Sequence, residues 1–178
     1  MTSETDRRLF KKLTTDNWLT PDETARHIVR VAADGTTHGI TKEDWTALIL
    51  EHELEPSVPE DIRNMFEVAQ GVLCYGCFFY PLYTLGSEQL YRVLEAAVMH
   101  KCASSGAPNR LKQYADALKW LRDQGIMSTA RFEQWSAARQ LRNQASHADR
   151  QSIYDPTMAV SGVALATELI SELYGVER

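Results

Sequence analysis

Between Val68 and Gly86 the chain carries no charged residue. That length approaches the ~20 apolar residues a helix needs to cross a bilayer, so the run admits few architectures. Gln70, Gly71, Gly76 and Pro81 interrupt it. In hydrocarbon each such interruption leaves backbone or side-chain polar groups that only other parts of the protein can satisfy. In a bundle of helices the same run is the element that the others surround. Charged patterns of helical period stand on both sides, so the expectation is the central helix of a soluble bundle, with no membrane partner; three cysteines without a disulfide framework and a polar, charged start make a reducing cytoplasm the expected location.

Those neighbouring patterns can be placed by their breakers. Pro59-Glu60-Asp61 opens a long helix reaching about Tyr80, with proline in the first turn and acidic side chains facing the helix dipole. Pro81 breaks it, and the next helix is expected to start at Gly86-Ser87-Glu88, with Leu90, Tyr91, Leu94, Ala97 and Val98 on one face. Leu111 to Gln124 forms a further helix, with Tyr114, Leu118 and Leu121 inward and Gly125 as its stop. Phe132, Trp135, Ala138, Leu141 and Ala145 recur at steps of three or four from about Ser128 to Ala148, which is one face of an α-helix. Asp155-Pro156 caps the last helix, which carries Met158, Val163, Ala166, Ile170 and Leu173. No alternating run bounded by hairpin turns is present. The fold class that follows is all-α, with a four-helix up-down core near residues 59–80, 86–103, 129–148 and 156–174.

Residues 1–57 stand apart from this pattern and are expected to form an N-terminal helical appendage to a bundle domain spanning 58–178. Met1 to Asn17 is polar and charged, so no secretory signal is expected. Thr20-Pro21-Asp22-Glu23 has the form of a capping box with proline at the first helical position, and predicts a helix to about Ala33, stopped at Asp34-Gly35. Thr41-Lys42-Glu43-Asp44 starts another, with Trp45, Leu48 and Ile49 inward. Two short helices across a glycine-containing loop have the outline of a helix-turn-helix. The second, however, bears Glu43, Asp44, Glu51 and Glu53 against Lys42, and such a face repels a phosphate backbone. DNA is therefore not the expected partner.

The net charge is -5 over 178 residues, which gives no general attraction to nucleic acid or acidic membranes. Residues 110–150 are different, with eight Lys/Arg against four Asp/Glu. This local excess fits either solvated helix faces or a surface for a phosphate-bearing ligand. Cys74, Cys77 and Cys102 do not make a disulfide framework; small buried thiols are the simpler reading. No set of metal-ligand spacings and no glycine-rich phosphate loop is present, so neither a metal nor a cofactor is expected.

One stretch is not explained by packing: Leu141-Arg142-Asn143-Gln144-Ala145-Ser146-His147. At 100° per residue Arg142 falls in or beside the apolar sector, while Asn143 and His147 point away from it. Burying an unpaired guanidinium is costly, so Arg142 needs a partner or a task. A cation near a helix C-terminus is also favourable in its own right. Upstream, Glu88 and Glu95 lie two turns apart with Arg92 near both, as surface ion pairs at i,i+3 and i,i+4 do.

The spacing Arg142, Asn143, three residues, His147 resembles the Arg-x4-His motif of the HEPN superfamily (higher eukaryotes and prokaryotes nucleotide-binding domains). The motif lies late in the penultimate helix of the four-helix pattern, where that family places it, and a last helix follows. Glu88 to Ala97 also resembles the family's second core helix. The resemblance covers roughly residues 58–176. It implies a HEPN-like four-helix bundle with an inserted helix, paired as a homodimer through the Arg142–His147 helix. It implies a metal-independent endoribonuclease, with Arg142, His147 and Asn143 as the catalytic set, RNA as substrate, and a bacterial defence or toxin–antitoxin setting with an antitoxin or defence partner protein. The alternative within the same resemblance is a non-catalytic interaction or nucleotide-sensing scaffold, since a fold does not fix a function.

Overall fold

The computed structural model describes residues 10–23, 29–31, 33–145 and 154–175 of the chain. It is mostly helical. Among the described residues the elements are β1 (Val29–Val31), β2 (Thr37–Gly39), α1 (Lys42–Leu50), α2 (Glu60–Cys74), α3 (Leu82–Ser104), α4 (Tyr114–Asp123), α5 (Thr129–Ala145) and α6 (Pro156–Leu173). A short 3-10 turn, Tyr75–Cys77, continues α2. α3 is the centre: α2, α4, α5 and α6 all pack on it, α4 also packs on α5, and α1 on α2.

The uncharged run divides at Pro81 into the end of α2 and the start of α3, and its interruptions have tertiary uses. The amide of buried Gln70 donates to the carbonyls of Ile49 and His52 at 2.9 and 2.7 Å. These belong to the end of α1, where backbone acceptors lack intrahelical partners. Gly86 was expected at a helix start; it lies inside α3 instead. A Cβ there would sit 2.5 Å from the Leu73 side chain, so the glycine lets α2 and α3 cross closely. Among the described residues no helix is long and apolar enough to cross a membrane.

Trp45 and Ile49 of α1 belong to the same buried cluster as Phe66, Leu73, Leu94, Leu118, Trp135 and Ile170. The Trp45 indole N–H donates to the Leu73 carbonyl at 2.9 Å, and its ring meets Tyr83 edge-on at 5.0 Å. Thr41 and Asp44 cap α1 reciprocally, and Asp155 caps α6 with Pro156 following, both as the sequence predicts.

The helix expected from Thr20 to Ala33 is not formed at its described positions. Val29–Val31 pairs antiparallel with Thr37–Gly39, turning through Asp34 and Gly35, whose φ is +82°. The expectation of no strand is corrected accordingly, by one two-stranded hairpin. Asp22 is buried and committed elsewhere. Its carboxylate accepts the Tyr80 N–H at 3.2 Å, and its own N–H donates to the Cys77 carbonyl at 2.8 Å. These contacts tie the Thr20–Glu23 segment to the α2–α3 corner.

Candidate functional site

α5 positions the candidate side chains. Its centre is held by apolar contact, with Trp135 and Ala138 buried. Its last turn leaves the core: Leu141, expected inward, is 40% exposed, and Asn143 is exposed. Arg142 stands between these conditions. Its guanidinium Nη2 lies 2.8 Å from Glu95 Oε2 in the middle of α3, with the two side chains 38% and 29% exposed. The Arg142 requirement for a partner is thus met across the bundle. Glu95 therefore does more than the surface pairing with its own helix that the sequence suggested.

α4 adds a third side to this cluster. Tyr114 is buried and its hydroxyl makes no hydrogen bond among the described residues. Burial pushes its phenol far up; nearby Glu95 pushes the same way, and Arg139 and Arg142 oppose it. Tyr114, Glu95, Arg139 and Arg142 lie near one another where α3, α4 and α5 join. A neutral phenol, a carboxylate and two guanidiniums there give a polar seam next to an apolar core, and the ionised groups keep partial contact with water. His147 lies outside the described residues, as do Ser146 and residues 148–153. The catalytic set is therefore described at Arg142 and Asn143 alone, and its histidine geometry is not.

Beside this seam α3, α5 and α6, with Tyr154 just before α6, line a half-open cavity of about 220 Å³, which nothing in the sequence indicated. α5 meets α6 through charged side chains at its opposite end, where Arg131 reaches Glu168 at 2.7 Å and Glu172 at 2.5 Å. Arg122 of α4 lies over the Phe132 ring, 4.5 Å from its centroid.

The cysteines have no such setting. Burial pushes the Cys74 and Cys77 thiols up and Cys102 up to about 11, so all three stay protonated and poorly nucleophilic near neutral pH. Among the described residues no three His, Cys, Asp or Glu side chains converge to hold a metal ion. In comparisons with known proteins, no family model, curated protein or solved structure matches the chain.

Proposed function

We propose that the chain is a HEPN-like helical bundle that cleaves RNA at the end of α5. The observation that carries this reading is the placement of Arg142: a guanidinium fixed by Glu95 at 2.8 Å, yet still partly exposed, one residue before an exposed Asn143. A guanidinium has five N–H donors in a planar fork, the geometry that matches two oxygens of a phosphate. Cleavage without a metal would use the 2′-hydroxyl of RNA as the nucleophile on the adjacent phosphorus. His147 would move the protons, as a group titrating near neutrality can. Arg142 would hold the non-bridging oxygens as charge grows on them, and Asn143 would orient the histidine or donate to the phosphate. Two copies joined about a two-fold axis through α5 would bring two such sets into one cleft.

The same ion pair also favours a second reading. Glu95 already balances the Arg142 charge, and a strut between α3 and α5 needs nothing more. In that case the chain is a non-catalytic scaffold or nucleotide-sensing module, in a defence or toxin–antitoxin assembly.

Substitution of the pair separates the two. If Arg142 binds phosphate, Arg142→Lys is expected to lose RNA cleavage although it keeps the charge, because an ammonium lacks the planar two-point contact. Glu95→Gln is expected to lower the turnover rate by freeing Arg142 from its fixed orientation. Under the strut reading both variants change only thermal stability, and the unsubstituted protein leaves RNA intact.

A further inference from the structure

We propose that the cavity between α3, α5 and α6 is a binding site for a small, uncharged, largely apolar molecule of about two fused rings. The proposal does not depend on RNA cleavage. The cavity measures about 220 Å³, against the ~150 Å³ of an engineered apolar cavity that stays dry and takes up benzene. The size fits a bicyclic ring system and is too small for a helix or a long acyl chain. Leu90, Leu94, Ala138, Leu141, Met158 and Leu165 supply its apolar walls, and no charged side chain lines it among the described residues. An ionised ligand would lose its hydration there without compensation.

Polar groups are few and sit together. Tyr91 and Tyr154 both line the cavity, and burial, with Tyr154 close by, pushes the Tyr91 phenol up. The Tyr154 backbone N–H is held by Thr84 Oγ1 at 3.0 Å, which fixes that wall. Ser87, also on the lining, donates to the Tyr83 carbonyl at 2.8 Å and keeps lone pairs for a donor. An apolar chamber with a small convergent polar cluster is the usual make-up of a small-molecule site.

Gly162 is the independent observation. It lines the cavity from inside α6, where glycine weakens a helix relative to alanine. Packing does not require it. A Cβ there would meet only Leu90 Cδ1, at 3.6 Å, an ordinary contact, in contrast to Gly86 with its 2.5 Å overlap. The omitted side chain is volume that the cavity retains. At the rim, Leu141 and Met158 are 40% and 46% exposed, so a ligand would enter between two flexible apolar side chains. Tyr91 and Ala138 each precede a member of the Glu95–Arg142 pair by one helical turn, so the ligand would rest beside that pair.

The test measures binding of indole and of naphthalene to the full chain by calorimetry and by the shift in melting temperature that binding to the folded state alone produces. Both probes are expected to bind, indole more tightly through its N–H. Tyr91→Phe is expected to narrow the preference for indole, with naphthalene binding retained. Gly162→Leu, which fills the cavity, is expected to weaken both probes at least tenfold while melting no lower than the unsubstituted protein. Ser161→Trp, at the exposed rim, serves as a second obstruction that does not touch the core, with the same expected loss. Failure of both probes to bind the unsubstituted chain would overturn the proposal. So would undiminished binding by well-folded Gly162→Leu and Ser161→Trp, or binding of octanoate in preference to either ring compound.

Discussion

α3 meets α6 and α5 in different ways. Along α6 the contact is apolar and continuous: Ala159, Val163, Ala166 and Ile170 are wholly buried, as are Val93 and Ala97 opposite. Among the described residues of α5 Trp135 and Ala138 are the buried ones, Phe132 packs partly on the core, and arginines add charged fastenings to α3, α4 and α6. Arg131 fastens the start of α5 to Glu168 and Glu172, Arg142 fastens its end to Glu95, and Arg122 covers Phe132. Apolar packing is indifferent to orientation and excludes water. Charged fastenings fix direction, tolerate water and leave room between them. The α3–α6 seam therefore holds the bundle together, while the α5 side holds its open volume and its half-exposed functional groups.

Unfolding by urea should expose this difference. Ile170→Ala, in the dry seam, is expected to cost about 2–5 kcal/mol through lost burial and a residual cavity. Glu95→Gln, which cuts one fastening of α5, is expected to cost less, about 0.2–1 kcal/mol, because both side chains are partly solvated. Leu141→Ala is expected to change stability by no more than about 0.5 kcal/mol, since Leu141 is already 40% exposed. A Leu141→Ala cost equal to that of Ile170→Ala would erase the distinction between the two seams. A Glu95→Gln cost above it would make the ion pair, not the apolar seam, the main support.

The helices could be read wherever local chemistry decides them. The capping box at Thr41 and Asp44 and the Asp155-Pro156 start survive unchanged, because each is satisfied within its own turn. Gly125 and Gly175 end their helices at positive φ, as left-handed C-terminal caps do. At Thr20–Glu23 the local pattern was not the deciding one: Asp22 is buried and bonded to Tyr80 and Cys77, partners distant in sequence. The hairpin at Asp34-Gly35 was present as a turn dipeptide, but its strands are three residues each and fully exposed along β2, so no alternation marks them. At the candidate site, helical period located Arg142 at the edge of the apolar face, and burial cost demanded a partner. That the partner is Glu95 depends on how α3 and α5 cross, which no local pattern encodes. The cavity escaped notice for the same reason: Gly162, Tyr91 and Tyr154 look unremarkable singly and acquire meaning only when three helices bring them together.

The most direct test of the α5 site is cleavage of a mixed-sequence RNA in EDTA by the unsubstituted protein and by His147→Ala. The proposed chemistry needs only side chains, so cleavage is expected to persist in chelator and to leave 2′,3′-cyclic phosphate ends. Loss of proton transfer should reduce the rate of the variant by roughly 10²–10⁴-fold without lowering its melting temperature. Equal cleavage by well-folded His147→Ala, or cleavage abolished by EDTA, would contradict the assignment of Arg142, Asn143 and His147 as the active site.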